Sequence, residues 1–403
     1  MRLSLRAITV PWAAVLCVSV CSLAPSTARA STVAPAPALE AQEAILVEPN
    51  TDTVIYALHP NRRVAIASTT KLMTAYVTLE DESLAARLVE QPYRATAGQS
   101  LAGLPAGASY SVADLLRAML LPSGNDVAHT LAIDVGHKIA HFIVLMNAAA
   151  AQLGLTDTHY STPVGLDTPG NYSTAANLET LAQVLMHDAF FAHVVREQVA
   201  YLPGGIEVQN TNDLLSYPFV VGIKTGHTQD AGYCLVGAAR RHGVYLISVV
   251  LGDPSEAARD ADTLALLRYG LYVYHRVHVA LKGHAYREVP INGSKQTVAL
   301  VAARRATLIV RRASGFRVSF AGVPAELEGP LPAGTVEGRL EASDDGKLVA
   351  TVPLVTQVAV ADPPASRTVF YVLAIIVLGV AGGCSLRVMR RRGSGAPRRR
   401  LRA

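Results

Sequence analysis

The hydrophobic positions along this chain change their period several times, and each change marks a different kind of element. The stretch AILVEPNTDTVIYA (44–57) is an apolar run, a turn signal and a second apolar run, which predicts a β-hairpin. Between residues 68 and 194 the period is helical: SVADLLRAMLL (111–121) and NLETLAQVLMHDA (177–189) return apolar side chains every three or four positions. After residue 204 it shortens to that of strands in FVVGIKTG, AGYCLVGAARR and GVYLISVVLG, with RRHG (240–243) as a tight turn. An amphipathic helix, SEAARDADTLALLRYGLYVY (255–274), closes this part. A strand pair, a helical block, then strands and a last helix put early and late segments into one sheet. The fold class is therefore α+β, with helices on an antiparallel sheet. From 277 to 360 short β-branched runs (QTVALVA, ATLIVRR, FRVSFAG, GKLVATVPLV) alternate with Gly, Pro and Asp turns, predicting a small all-β domain.

The two ends follow different rules. Residues 1–30 carry Arg2 and Arg6, then an apolar run, then Ala28-Arg29-Ala30, the layout of a signal peptide cut after Ala30. Residues 31–43 form a Pro/Ala-rich leader. Near the other end, 368–386 (TVFYVLAIIVLGVAGGCSL) is free of charge and, as a helix, reaches roughly 28 Å, close to the hydrocarbon thickness. The tail that follows (387–403) holds Arg387, Arg390, Arg391, Arg392, Arg398, Arg399, Arg400 and Arg402. By the positive-inside rule that tail is cytoplasmic and everything before the span lies outside. Gly379 and Gly383 form a G-x-x-x-G pair that would support weak dimers of the transmembrane helix.

Charge and cysteine then exclude several classes. The formal net charge is +5, but the two ends hold twelve of the 36 basic residues, so residues 31–366 set 24 against 31 acids. That exported body is acidic, which leaves no support for a nucleic-acid partner; the basic tail orients the helix and touches anionic lipid. Cys234 is the only cysteine in the body, so an intrachain disulfide is impossible there. No metal-ligand spacing occurs, and no cofactor is expected.

The candidate chemistry starts at IASTTKLM (66–73). Ser68 stands where apolar periodicity begins, with Lys71 one turn on and on the same face. A serine hydroxyl is a weak nucleophile until a base takes its proton, and a lysine can be that base only when uncharged. Taken alone, the pair reads equally as an ordinary helix start, because serine is a favoured N-cap. Ser123-Gly124-Asn125 sits on a loop entering a helix, and Lys224-Thr225-Gly226 closes a strand, where glycine lets another backbone approach.

S-x-x-K, S-G-N and K-T-G occur in that order in an exported chain. Together they resemble the motifs of the low-molecular-mass penicillin-binding D-alanyl-D-alanine carboxypeptidases, in which three such motifs surround one cleft. The text KTGHTQDAGYCLVGAA, NTNDLL (210–215), STPVGLD (161–167) and VVLGDPSEAARDADTLALLRYG is similar to that family as well. The resemblance implies a serine β-lactamase/DD-peptidase-like catalytic domain (44–276), a C-terminal β domain (277–361), a linker (362–367) and the membrane anchor. It implies that Ser68 forms an acyl-enzyme, Lys71 takes its proton, and Ser123 relays a proton to the leaving D-alanine. Asn125 would orient Lys71 and bind the substrate amide. Lys224 and Thr225, with Arg259 assisting, would hold the terminal carboxylate beside Gly226. The oxyanion hole would be the N–H groups of Ser68 and His227, the His227 imidazole being a bystander. Asn177 departs from the aspartate common in the family, which puts a structural contact in doubt. The implied partners are peptidoglycan stem peptides as substrate and β-lactams as covalent inhibitors, at the outer face of a bacterial cell membrane.

Other readings remain open at this stage. A D,D-endopeptidase or transpeptidase uses the same acyl-enzyme. A serine β-lactamase of the same fold needs a glutamate that positions a deacylating water, and no convincing E-x-x-x-N loop lies between the second and third motifs. A non-catalytic envelope protein would tolerate erosion of a motif, yet all three are intact.

Overall fold

The computed structural model describes residues 35–361, together with residue 376. The expected signal peptide, linker and basic tail lie outside the described residues, as does all of the expected span except residue 376. The first hairpin forms as the pattern requires: β1 (Glu43–Glu48) and β2 (Thr53–Leu58) pair antiparallel. A helical block follows: α1 (Lys71–Asp81), the short pair β3 (Arg87–Val89) and β4 (Ser109–Ser111), then α2 (Val112–Leu120), α3 (Asn125–Gly136), α4 (Ile139–Gln152), α5 (Ala175–Leu185) and α6 (Ala189–Val194). The chain then forms β5 (Val199–Leu202), β6 (Ile206–Gln209), β7 (Val220–Thr228), β8 (Gly232–Arg241), β9 (Val244–Asp253) and α7 (Glu256–Val273).

Early and late strands do share a sheet, in the order β2-β1-β9-β8-β7, all neighbours antiparallel. Its strands read as unbroken apolar runs because both faces are covered. Ile45, Val47, Val236, Ile247 and Val249 join the core shared with α1–α6, whereas Leu46, Leu235, Leu246 and Val250 join the one beneath α7. Adjacent residues of β1 therefore belong to opposite cores, the period-two alternation of a strand. This order leaves one edge of β7 without a neighbour strand.

Helix starts are fixed by short polar side chains. Ser111 Oγ accepts from Asp114 N at 3.1 Å, Thr174 Oγ1 from Asn177 N at 3.0 Å and Ser255 Oγ from Ala258 N at 3.1 Å. Each such cap is worth about 1 kcal/mol. The Asn177 side chain keeps a structural contact of its own, donating to Thr158 Oγ1 at 2.9 Å. Helix α1 runs through the helical cluster, with Leu72 and Met73 fully buried. Burial of side chains of that size stabilises by roughly 1.5–3 kcal/mol each, which holds the start of α1 in place.

The remainder is all-β: β10 (Tyr274–Ala280), β11 (Ala285–Pro290), β12 (Thr297–Ala302), β13 (Ala306–Arg311), β14 (Arg317–Ala321), β15 (Val336–Asp344) and β16 (Lys347–Thr356). Five of these form an antiparallel sheet in the order β11-β12-β16-β15-β14, while β10 pairs with β13. Leu300, Leu327, Leu340, Val352 and Leu354 supply its core, and Ile309 of β13 packs instead into the core beneath α7. β11 and β15 escape the sequence reading because charged and polar residues interrupt them (AYREVP, VEGRLEASD).

Candidate active site

Ser68 lies in a single 3₁₀ turn (Ala67–Thr70) that leads straight into α1, rather than at the first turn of an α-helix. Hydrogen bonds and one close backbone approach hold this turn. Ala67 adopts φ +47°, a conformation that L-residues resist, and Thr69 Oγ1 donates to Ile66 O at 2.6 Å. Thr70 Oγ1 accepts from Asn171 Nδ2 at 3.1 Å. Gly165 passes against the turn at φ +86°, and any Cβ there would collide with the Ala67 carbonyl. Next to it, Pro163 O accepts from Thr74 Oγ1 at 2.7 Å, so the 163–165 loop is tied to α1.

That loop delivers a backbone carbonyl to Lys71. The Lys71 side chain is fully buried, and Nζ lies 2.9 Å from Ser68 Oγ, 2.6 Å from Asn125 Oδ1 and 2.8 Å from Val164 O. A neutral amine has two N–H donors and one lone pair. Two of these three neighbours are carbonyl oxygens and can only accept. When the amine is neutral, those two oxygens can take both N–H groups, which leaves the lone pair facing the Ser68 hydroxyl.

The second motif enters between α2 and α3. Ser123 is held at φ +64°, a Cβ on Gly124 would come 2.7 Å from the Ala118 carbonyl oxygen, and the Asn125 N–H donates to Ser100 O at 2.9 Å. The neighbouring Asp126 carboxylate anchors the loop above it, accepting from the N–H groups of Ala102 (3.0 Å) and Gly103 (2.8 Å). Ser123 Oγ is buried and has no hydrogen-bond partner among the described residues.

The third motif is on the free edge of β7. Lys224 is buried, and its Nζ is likewise unpartnered among the described residues. Thr225 Oγ1 lies 2.5 Å from Thr211 Oγ1, and Thr211 N donates to Leu121 O at 3.1 Å. A Cβ on Gly226 would come 3.0 Å from Ser68 N and 3.2 Å from Thr69 N, so glycine lets β7 approach the serine turn this closely without pressing on it. The exposed His227 ring stacks on Tyr233 at 3.9 Å. Arg259 is buried and paired with Glu256 (3.0 Å) and Asp260 (2.7 Å).

Burial dominates the electrostatics of the site. It drives the Lys71 pKa well below the ordinary lysine value; the Lys224 charge adds to the effect and Asp126 opposes it. Burial, with help from the Arg259 charge, pushes Lys224 down to about 7. Cys234 plays no part: it is buried, donates to Ala231 O at 3.6 Å, and is raised to about 12 by burial. Among the described residues no group of three His, Cys, Asp or Glu side chains is arranged to hold a metal ion.

The three motifs are thus gathered at one place: Ser68, Lys71 and Asn125 in direct contact, with β7 against them. Sequence reasoning missed three participants. The Val164 carbonyl had only Gly165 as a pointer, Asp126 only its place beside Asn125, and Thr211 only its place in NTNDLL.

Comparison with known proteins agrees with this geometry. The family described as D-alanyl-D-alanine carboxypeptidase matches residues 29–255, and the one described as penicillin-binding protein 5, C-terminal domain, matches residues 274–362. The D-alanyl-D-alanine carboxypeptidase DacD of Salmonella typhimurium is 32% identical over 339 residues, covering 79% of this chain and 86% of that protein. The DacC enzyme of Escherichia coli is 31% identical over 350 residues, 82% of this chain and 87% of its own length. Among solved structures, penicillin-binding protein 5 from Haemophilus influenzae superposes with a TM-score of 0.62 at 28% identity, covering 81% of this chain and 99% of that one. A DD-transpeptidase from Streptomyces gives a TM-score of 0.57 at 33% identity, over 59% of this chain and all of the other.

Proposed function

The chain belongs to the D-alanyl-D-alanine carboxypeptidase family, and from that premise we propose that it removes the terminal D-alanine of peptidoglycan stem peptides through an acyl-enzyme on Ser68. The observation that carries the reading is Lys71 Nζ, buried, 2.9 Å from Ser68 Oγ, with carbonyl acceptors for both of its amine hydrogens. The Ser68 oxygen attacks the penultimate D-alanine carbonyl while its proton passes to Lys71. The C–N bond then breaks, and Ser123 relays the proton to the leaving amine. Water attacks the ester in the second half, returning Ser68. The Ser123 hydroxyl and Lys224 Nζ, both without a partner among the described residues, supply a relay and, in the protonated form of Lys224, a cation for the substrate carboxylate, which Thr225 also receives. Arg259, occupied by two carboxylates, acts through its charge on Lys224. The N–H groups of Ser68 and His227 form the oxyanion hole, Gly226 permitting their approach.

The test incubates the protein with a fluorescent penicillin and with a D-Ala-D-Ala pentapeptide. The expected result is a long-lived label and release of D-alanine, both abolished in Ser68→Ala. Rapid penicillin turnover without D-alanine would point to a β-lactamase instead. A second reading, transfer of the acyl group to an amine, is favoured by the Streptomyces DD-transpeptidase likeness. Cross-linked product from an added amine acceptor would reveal it.

The inference extends to where the reaction happens. The sequence of residues 1–30 and 368–403 supports an exported enzyme anchored by one C-terminal helix, with its tail in the cytoplasm. Mature protein beginning at Ser31 and a C-terminal tag shielded from external protease are the expected results; a tag cut in intact cells would refute the orientation.

A further inference from the structure

A cavity of about 710 Å³ lies away from the serine, where the β8–β9 turn, the last turns of α7 and the residue after β13 come together. Its walls include Arg241, His242, Arg268 and Arg312, with the rings of Phe219 and Tyr272. No aspartate or glutamate lines it. A fourth guanidinium, Arg276, crosses the same turn against Gly243, where a Cβ would come 2.9 Å from its Cδ. This concentration of positive charge occurs on a body whose overall balance is acidic.

The guanidiniums have spare donors. Arg312 Nε donates to Tyr272 O at 2.7 Å, which aims the rest of that group, and Arg241 Nε donates to His242 Nε2 at 3.2 Å. Arg268 is held over the Tyr217 ring at 5.2 Å. Among the described residues, the terminal nitrogens of Arg241, Arg268 and Arg312 make no hydrogen bond and no ion pair. Arginine cannot shed its charge, so several such groups around one recess repel one another unless an anion sits between them. Planar forks of this kind match a tetrahedral oxyanion two bonds at a time. A volume of this size falls in the range of small-molecule sites and exceeds a bare phosphate, leaving room for an organic group against the two aromatic rings.

We propose that this cavity binds a phosphate monoester or diester, the phosphate among the arginines and its organic part against Phe219 and Tyr272. The phosphate belongs either to a soluble ester or to a lipid headgroup. The experiment titrates the full chain with glycerol 1-phosphate at fixed ionic strength, reading melting temperature and tyrosine fluorescence. A saturable response is expected, weakened at least about tenfold in the double variant Arg241→Gln, Arg268→Gln, with D-alanine release unchanged. Neither guanidinium bonds the backbone. Should the double variant melt early, Arg241→Gln alone is expected to give the same loss in smaller degree. Displacement of bound glycerol phosphate by phosphatidylglycerol vesicles, but not by phosphatidylcholine vesicles, assigns a lipid source; no displacement by either assigns a soluble one. An equal response to chloride at matched ionic strength, or undiminished binding in the arginine variants, overturns the proposal.

Discussion

Replacing Asn125 by aspartate tests the neutral-amine argument with almost no change of shape. Asn125 Oδ1 sits 2.6 Å from Lys71 Nζ, inside the protein. A carboxylate there faces the amine at the same distance. At that separation two unit charges attract by about 6 kcal/mol, taking an effective dielectric constant near 20. That attraction favours the charged amine, so it raises the Lys71 pKa and returns the group to the ammonium form. An ammonium has no lone pair for the Ser68 hydroxyl. Acylation by a fluorescent penicillin at pH 7 is therefore expected to fall at least about a thousandfold, and raising the pH should recover part of the rate. Asn125→Ala, which removes the orienting contact without adding charge, should lose less at neutral pH and show no such recovery. Near-normal acylation in Asn125→Asp at pH 7, in a protein whose melting is unchanged, would refute the reasoning.

Two further outcomes follow from neighbouring features. In Gly165→Ala the new methyl collides with the Ala67 carbonyl at a positive φ, so stability should drop by at least about 2 kcal/mol and penicillin labelling should slow, read by thermal melting and stopped-flow labelling. Glu179, buried in α5, is raised to about 7 by burial with a smaller contribution from Asp52. The folded protein therefore binds more protons than the unfolded chain between the ordinary carboxylate range and about 7, and stability falls as pH rises through that window. Glu179→Gln should gain on the order of 1–3 kcal/mol over the parent at pH 8 and little at pH 4, measured by urea unfolding at both values.

The legible parts of this protein were those whose physics is local in sequence. The first hairpin and RRHG follow from turn chemistry and short-period patterning, and both are present as β1–β2 and the β8–β9 turn. The three motifs were visible because each pairs side chains one or two positions, or one helical turn, apart. Their meeting was not visible, because it depends on β7 becoming an edge strand and on Gly226 admitting Ser68. The Val164 carbonyl had no signature beyond its neighbour Gly165: every residue owns a carbonyl, and only the path of the 163–165 loop aims this one at Lys71. The 3₁₀ turn at Ser68 likewise escaped notice, because the positive φ at Ala67 beside it has no local sequence signal. The arginine cavity was hidden for a related reason. Arg241, Arg268 and Arg312 are far apart in the chain, and overall composition averages their charge away.

The most direct measurement is the ionisation of Lys71 itself, followed by NMR of isotopically labelled lysine side chains as a function of pH, with a Lys71→Ala spectrum to assign the signal. The account predicts a Lys71 resonance that keeps the shift of a neutral amine at pH 7 and titrates well below the ordinary value of 10.5. A Lys71 signal that stays charged at pH 7 and titrates with the exposed lysines would contradict it.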